Sequence, residues 1–238
     1  MIFLNNVQKT LKKQPIVNDM TLHIQTGEAI GVIGPNGAGK TTLLKMIATI
    51  LKPTNGSISF HNKPYHECIK EVREQIGYIP QEIALFEDLT VKDQINFWKS
   101  ASKKAVSESY LNELIQAFQL QKVWKKKVKS LSGGWKRKIN ICAGMLHNPN
   151  VLLLDEPTVG VDLAAKDDII HWLKSLHQKG KTILLISHDW DVIHGICEKI
   201  MVVNDGKIDF FDDLERLSEY ESQLSNNKEE LKKILKLR

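Results

Sequence analysis

Gly34-Pro35-Asn36-Gly37-Ala38-Gly39-Lys40-Thr41 is the stretch of sequence that decides the fold. It fits the pattern G-x-x-x-x-G-K-[ST], which holds the phosphates of a nucleotide when it joins a β-strand to an α-helix. The apolar run 29–33 before it predicts a strand, and the helically spaced leucines and isoleucines of 41–51 after it predict a helix. The stretch therefore has the strand-loop-helix context that the pattern requires.

The residue types of this loop explain how it would hold phosphate. Glycines let backbone N–H groups turn toward phosphate oxygens, and the start of the following helix adds a positive partial charge. We expect Lys40 to bridge the β- and γ-phosphates, Thr41 to bind Mg²⁺, and Thr42 to support the α-phosphate. The alternative is a glycine-rich turn that only connects a strand to a helix. The predicted nucleotide-binding residues of the loop are Gly34, Pro35, Asn36, Gly37, Ala38, Gly39, Lys40, Thr41 and Thr42.

Two adjacent acids, Asp155 and Glu156, end the apolar run 151–154. The carboxyl end of a buried strand is where α/β sheets place ligand chemistry. We expect Asp155 to orient Mg²⁺ through water, and Glu156 to polarise the attacking water as a general base. An ordinary turn before Pro157 could explain the two acids alone, but the phosphate loop upstream favours the catalytic interpretation.

Short apolar runs at 151–154 and 183–186 predict buried parallel strands, and the helical spacing of 164–178 between them predicts a crossover helix. Residues 57–60 and 76–79 form a second strand-rich stretch. From about residue 89 to 146 the pattern is helical and polar, which predicts a helical subdomain.

The two ends of the chain carry weaker signals. Residues 22–25 predict a strand that a turn separates from the run 29–33. The charged segment 212–238 has leucines near helical spacing and is compatible with a helix, a frayed end or a packing appendage.

Length and composition limit the number of nucleotide sites and the class of protein. The chain has 238 residues, of which 42% are hydrophobic and 26% charged, so it is long enough for one α/β core with one nucleotide site. No apolar run approaches the roughly 18 to 20 residues that span a bilayer, so a membrane role requires a partner. The N-terminus lacks the pattern of a secretory signal, and a cytoplasmic location is expected.

The chain also contains three cysteines and a run of lysines. Cys68, Cys142 and Cys197 are far apart and lack metal-ligand spacing, so free thiols are expected rather than a disulfide framework or a zinc site. Five of the eight residues from Lys122 to Lys129 are lysines. A solvated face explains this run, and contact with anionic lipid or nucleic acid is the alternative.

Leu131-Ser132-Gly133-Gly134 precedes an apolar helical run upstream of the two acids, and here the sequence resembles the ABC ATPase family. Ser132 and the N–H groups of Gly133 and Gly134, at a helix N-terminus, would form an anion site for a γ-phosphate. The resemblance implies that this site acts in trans. Two subunits would form a head-to-tail dimer, with two ATP molecules held between the phosphate loop of one and the signature of the other.

Three further positions match the family. The resemblance implies that Gln81 contacts Mg²⁺ or water and moves with the transmembrane partner, that His188 contacts the γ-phosphate as a switch, and that Asp162 belongs to the loop that crosses the dimer. A lone histidine or glutamine would more often be structural, and the family positions favour the functional interpretation.

The sequence departs from the family pattern at two positions. Trp135 follows Gly134 where glutamine is most common, which puts one polar contact across the dimer in question. Leu11 stands where an aromatic residue usually stacks on adenine. Leucine gives apolar contact without stacking, so GTP is expected to be accepted nearly as well as ATP.

The resemblance spans residues 2–210 and implies an α/β fold: a P-loop NTPase core with a mostly parallel sheet, an antiparallel β subdomain and an inserted α-helical subdomain. The expected divisions are 1–85 with 147–210 for the core, 86–146 for the helical subdomain and 211–238 for a charged tail. ATP and Mg²⁺ are the implied cofactors. The implied partners are integral membrane subunits and a second ATP-binding subunit, with no nucleic acid, on the inner face of the cell membrane.

Residues 85–91 and 136–138, with the segment 155–162, are similar to the ABC-2 type exporter branch, whose members move drugs, peptides or lipids. The rival class is a soluble regulatory ATPase of the same family without a transport role. A phosphate-loop kinase would leave the signature Ser132-Gly133-Gly134 unexplained.

Overall fold

The computed structural model describes residues 1–102, 105–224 and 229–235. In chain order, the strands of these residues are β1 (Ile2–Leu11), β2 (Gln14–Ile24), β3 (Ala29–Ile33), β4 (Asn55–Phe60), β5 (Lys63–Pro64), β6 (Ile76–Ile79), β7 (Val151–Asp155), β8 (Thr182–Ile186), β9 (Lys199–Asn204) and β10 (Lys207–Asp213). The α-helices are α1 (Lys40–Ile47), α2 (Tyr65–Gln75), α3 (Val91–Ala101), α4 (Glu108–Ala117), α5 (Gly133–Met145), α6 (Leu163–Gln178), α7 (Trp190–Ile196), α8 (Leu217–Gln223) and α9 (Glu229–Leu235). Short 3₁₀ helices cover Leu120–Val123, Val128–Ser130 and Leu214–Arg216.

The larger sheet has six strands in the order β10-β9-β3-β8-β7-β6. All neighbours pair in parallel except β10, which runs antiparallel to β9 at one edge. Every residue of β3, β7 and β8 is buried, as expected for strands covered on both faces. The prediction of a mostly parallel sheet with an α6 crossover between β7 and β8 is confirmed.

The smaller sheet is antiparallel, in the order β2-β1-β4-β5. The predicted strand 22–25 is only the end of β2, and β1 was missed. The register between β1 and β2 shifts at several points, and Asn6 and Asp19 adopt φ values of 48° and 59°. These irregularities break the alternation of apolar and polar residues by which a strand is detected in sequence.

The second predicted strand-rich stretch divides between the two sheets. Residues 57–60 lie in β4 of the smaller sheet, whereas β6 is the edge strand of the larger sheet beside β7. Helix α2, which the sequence pattern did not predict, separates them. Both predicted strands are therefore present, but they belong to different sheets.

Two apolar cores cover the two faces of the larger sheet. One core lies between the sheets and includes the apolar residues of α1. The other packs helices α3 to α7 against the opposite face and also contains Leu217, Leu231 and Leu235 from the tail. Cys68, Cys142 and Cys197 are free and buried.

The tail packs on the fold through a specific contact. The indole Nε1 of Trp190 in α7 donates a hydrogen bond to the carbonyl of Ile234 at 3.1 Å. Of the tail predicted at 212–238, the first two residues end β10, and the rest of its described part is mainly helical and packed on the core. Residues 225–228 and 236–238 lie outside the described residues. Within the described ranges, no helix is both long and apolar enough to cross a membrane.

Candidate nucleotide site

A cleft of about 510 Å³ opens where β3 enters α1. The predicted site residues that line it are Leu11, Asn36, Gly37, Ala38, Gly39, Lys40, Thr41, Thr42, Gln81, Asp155, Glu156 and His188. Strands β3, β8, β7 and β6 are parallel neighbours, so their carboxyl ends meet at one edge and bring together all of these residues except Leu11. Leu11 comes from the end of β1 in the smaller sheet. The cleft thus joins five separate segments of sequence.

Glycine is required at two positions of the phosphate loop. Gly34 adopts a φ of 146°, and a Cβ there would lie 1.9 Å from the carbonyl oxygen of Val203. Gly39, at the start of α1, has a φ of 99°, and its Cβ would lie 2.5 Å from the carbonyl oxygen of Ile16. The neighbouring backbone therefore fixes the path of the loop, which any side chain at these two positions would disrupt.

Lys40 folds back over the loop. Its buried Nζ donates to the carbonyls of Gly34 at 2.6 Å and Pro35 at 2.8 Å. Burial lowers the pKa of Lys40, while the charges of Glu156 and Asp155 oppose this shift. The ammonium is thereby held at the mouth of the loop, close to the two acids.

Asp155 and Thr41 form the oxygen pair that a divalent cation would need. Asp155 is 2% exposed, and burial raises the pKa of its carboxyl, while the hydrogen bond with the Thr41 side chain lowers it. Gln81 lines the same cleft. A carboxylate, a hydroxyl and an amide oxygen are hard donors of the kind that Mg²⁺ prefers, so these residues fit the implied cation.

Glu156 has an unusual backbone conformation and a buried carboxylate. Its φ is 51°, a left-handed conformation that costs a non-glycine residue free energy and is concentrated at functional sites. Its N–H donates to the Ile186 carbonyl at 3.0 Å, which ties it to β8. Among the described residues the buried Oε1 has no hydrogen-bond partner. Burial raises the pKa of Glu156 to about 7, while a hydrogen bond from the backbone of His188 to the carboxylate lowers it. The carboxyl is thus poised to accept a proton near neutral pH.

His188 faces this carboxyl from the end of β8. Its Nε2 lies 3.4 Å from the Glu156 Oε1, and burial lowers the pKa of the imidazole. A neutral imidazole makes no ion pair with Glu156. It remains available to contact a phosphate oxygen or water.

The cleft also has an apolar side that the sequence analysis only partly found. Leu11, 39% exposed at the end of β1, lines the cleft together with Ile16 from β2. Val159 and Ile186 line it too. Ile16 was missed because it belongs to a strand whose pattern is irregular, and its contribution depends on pairing between distant strands.

The predicted signature lies outside this cleft. Ser132 and Gly133 are exposed at the N-terminus of α5. A Cβ on Gly133 would lie 2.7 Å from the carbonyl oxygen of Gly160. Asp162 accepts a hydrogen bond from the Ala165 N–H at 2.8 Å and so caps α6. The signature and the predicted crossing loop therefore touch each other in one chain, apart from the phosphate loop.

Gly134 and Trp135 continue this contact into the core. Gly134 is buried, and a Cβ there would lie 3.0 Å from the Cβ of Ala165, so a side chain at this position would crowd the start of α6. Trp135 is half-buried, with the Nζ of Lys138 at 4.9 Å from the centre of its ring. The Trp135 ring thus has a cation–π contact within its own chain.

Arg137 was not predicted, yet it connects the signature helix to the cleft. It is 3% exposed, and its guanidinium donates to the carbonyls of Pro80 at 3.1 Å and Gln81 at 2.7 Å. The contact spans more than fifty residues of sequence, so no local pattern could have indicated it. It fixes the backbone of the residue whose side chain lines the cleft.

A second groove, of about 580 Å³, lies next to this contact. Tyr78, Pro80, Ala84, Trp98 and Asn140 line it, with Lys70 and Arg73 at its edge. In the part of the chain that the structure describes, the Tyr78 hydroxyl and the Trp98 indole N–H are buried without a hydrogen-bond partner. Both would be satisfied by a polar group that entered the groove.

The family model described as ABC transporter matches residues 17–159. The chain therefore belongs to the ABC transporter family, and it is an ATP-binding ATPase of that family. It is 32% identical over 216 residues to the linearmycin resistance ATP-binding protein of Bacillus subtilis, covering 87% of this chain and 68% of the relative. It is 35% identical over 208 residues to the Nod factor export ATP-binding protein I of Burkholderia thailandensis, with the same coverage.

Solved structures agree with this assignment. An ATP-binding cassette described as a dimer in a post-hydrolysis state, bound to ADP and phosphate, superposes with a TM-score of 0.80 at 27% identity, covering 90% of this chain and 99% of that one. An ATP-binding subunit of an ABC transporter superposes with a TM-score of 0.83 over 98% of both chains; at 24% identity it supports the fold alone.

Proposed function

We propose that this chain is the motor subunit of an ABC exporter, in which ATP closes a head-to-tail dimer and hydrolysis reopens it. The observation that carries the proposal is the separation of two sets of residues in one chain. The phosphate loop and the acids lie in the cleft, whereas Ser132 and Gly133 are exposed elsewhere. A second subunit would bring its signature to the open side of the cleft.

Hydrolysis in this proposal depends on the buried carboxylates. Thr41, Asp155 and Gln81 would hold Mg²⁺, which neutralises phosphate charge when it is bound. Lys40 would leave the carbonyls of Gly34 and Pro35 for phosphate oxygens, which are better partners for an ammonium. Glu156 would accept a proton from the attacking water, and His188 beside it would contact the γ-phosphate.

The groove beside Gln81 is the proposed docking site for a membrane subunit. Its walls include Tyr78 and Pro80, which precede Gln81, and Ala84, which follows it. A polar segment that satisfies the Tyr78 hydroxyl and the Trp98 indole would also press on the Gln81 segment. Arg137 on the signature helix donates hydrogen bonds to the carbonyls of the same segment. The proposed docking site, the cleft and the signature helix are therefore connected through residues 80 and 81.

Export rests on the named relatives. Both are ATP-binding proteins, one for resistance to linearmycin and one for export of Nod factor. Outward movement of a drug, peptide or lipid is therefore the proposed task of the complex, with cargo chosen by the membrane subunits.

The test is an affinity pull-down of the tagged chain from detergent-solubilised native membranes, with proteins identified by mass spectrometry and ATPase activity measured on the recovered complex. A Tyr78→Phe, Trp98→Phe double variant, which removes both polar groups from the groove, is the matched bait. We expect the wild-type chain to recover a stoichiometric multi-span protein and the variant to recover less of it. An active ATPase that recovers only soluble proteins would overturn the transport proposal in favour of the regulatory class.

A further inference from the structure

The lysine run noted in the sequence has a defined position in the structure. Six lysines line one exposed strip, called here the basic strip: Lys92, Lys122, Lys125, Lys126, Lys127 and Lys129. Backbone hydrogen bonds set residues 124–129 antiparallel to residues 87–92, including Lys92 N to Trp124 O at 3.0 Å and Val91 N to Lys126 O at 3.0 Å. The lysines from the two segments are therefore neighbours in space.

The charge of the basic strip is only partly compensated. Between Glu113 and Asp155 the sequence contains no acidic residue. Asp88 pairs with Lys129 at 2.7 Å, and Glu87 pairs with Lys136 at 3.1 Å. Asp93 accepts a hydrogen bond from the Thr90 hydroxyl at the start of α3. Lys125, Lys126 and Lys127 in the middle of the strip thus carry the excess positive charge.

An aromatic pair continues the same surface. Lys129 N donates to Glu87 O at 2.9 Å, which places the strip beside Phe86. Phe86 is 49% exposed and Phe97 is 42% exposed, and their rings pack edge to face at 4.9 Å between centres. Exposed lysines beside exposed aromatic rings are the combination that binds at a lipid headgroup interface.

We propose that the basic strip and the Phe86–Phe97 pair form a contact surface for anionic phospholipid headgroups. Helix α3 begins at the strip and carries Trp98 into the docking groove, so the strip adjoins the surface that would face a membrane subunit. Only this link to a membrane subunit rests on the proposed function. Nucleic acid is less well matched, because the two rings pack on each other instead of standing apart to accept bases.

The experiment is sedimentation of the purified full-length chain with vesicles of phosphatidylcholine, with and without one third phosphatidylglycerol. The test variant carries Lys125→Gln, Lys126→Gln and Lys127→Gln. The matched control carries Lys52→Gln, Lys174→Gln and Lys207→Gln, which removes the same charge from exposed lysines elsewhere. Far-ultraviolet circular dichroism and ATPase activity check that all three proteins are folded.

We expect wild type and control to bind anionic vesicles and not neutral ones, with weaker binding at higher salt. The test variant should bind at least tenfold more weakly, because each lysine near an anionic surface contributes on the order of fivefold. Equal binding by test variant and control would overturn the proposal. Lysine-dependent binding to a short duplex DNA without binding to anionic vesicles would also overturn it. Recovery of a membrane subunit is measured separately, so the two proposals can fail independently.

Discussion

The cleft and the signature surface differ in shape, exposure and hydrogen bonding. The signature surface comprises Ser132 to Gly134 with Asp162. The cleft is concave and contains a buried polar atom, the Glu156 Oε1, that has no hydrogen-bond partner among the described residues. The signature surface is exposed at Ser132 and Gly133, and the Asp162 side chain is already used to cap α6. In the proposed dimer, the cleft would carry out the chemistry, and the signature surface would be presented to the cleft of the second subunit. Within one chain the two regions lie apart, as the proposed site shared between two subunits requires.

The largest expected effect is on the cleft. Glu156→Gln should lower ATP hydrolysis by roughly 10² to 10⁴-fold, because a positioned base contributes that much to rate. ATP binding should persist, and the dimer should accumulate in size-exclusion chromatography with ATP. Glu71→Gln, an exposed carboxylate on α2, is the control. Hydrolysis at the wild-type rate would remove Glu156 from the role of base.

The next effect concerns nucleotide affinity. Lys40→Ala should weaken ATP binding by roughly 10- to 100-fold, because a charge-assisted contact to phosphate contributes about 1.5 to 3 kcal/mol. Titration with a fluorescent ATP analogue measures it, with Lys63→Ala at an exposed site as the control. Undiminished affinity would contradict the assignment of the phosphate loop.

A signature variant tests the separation directly. Gly133→Val forces a side chain against the Gly160 carbonyl and should lower ATPase activity about tenfold or more, while nucleotide affinity of the single chain stays near wild type. Mixing Gly133→Val chains with Glu156→Gln chains should restore activity. In the mixed dimer, the intact cleft of the first variant meets the intact signature of the second. Lack of recovery, with mixed dimers shown to form, would mean that both halves act within one chain.

A smaller effect is expected at the link between the regions. Arg137→Lys keeps the charge and loses the fork that holds the Pro80 and Gln81 carbonyls, so kcat should fall severalfold with KM little changed. Arg137→Gln should lower kcat further. Thermal unfolding of each variant separates positioning from stability. A fall in stability without a change in kcat would assign Arg137 a structural role only.

The last prediction concerns stability and not catalysis, namely a pH dependence of the free energy of unfolding in the nucleotide-free chain with EDTA. The pKa of Glu156 is about 7 in the folded chain against 4.5 as its ordinary value, so protonation favours folding. This stabilisation is full below pH 4.5 and is lost as pH rises through 7. Wild type should therefore lose roughly 2 kcal/mol relative to Glu156→Gln between pH 5 and 8, measured by urea unfolding. Parallel curves would contradict a raised pKa.

The sequence predicted best what is local. The phosphate loop and the two acids at the end of β7 are continuous motifs, and the structure brings both into one cleft. Their catalytic roles stay predictions until the variants are measured. The helical segment after residue 89 was recognised by periodicity, although the boundaries proposed for the three divisions of the chain stay untested.

What the sequence could not predict depends on irregular or distant pairing. The shifted register between β1 and β2 hid the strand that places Ile16 in the cleft. The hydrogen bond from Arg137 to the Gln81 carbonyl joins positions that share no pattern. Such contacts follow from how elements pack, so periodicity and composition carry no signal for them.

The hydrogen bond from Trp190 to the Ile234 carbonyl has a consequence for the order of events during synthesis. Trp190 opens the helix that follows His188, and the segment that accepts its indole N–H leaves the ribosome much later. Until then the indole and the apolar surface that Leu231 and Leu235 cover are open to solvent. Helix α9 therefore closes over this apolar surface, and a chain cut before residue 229 would expose it to water.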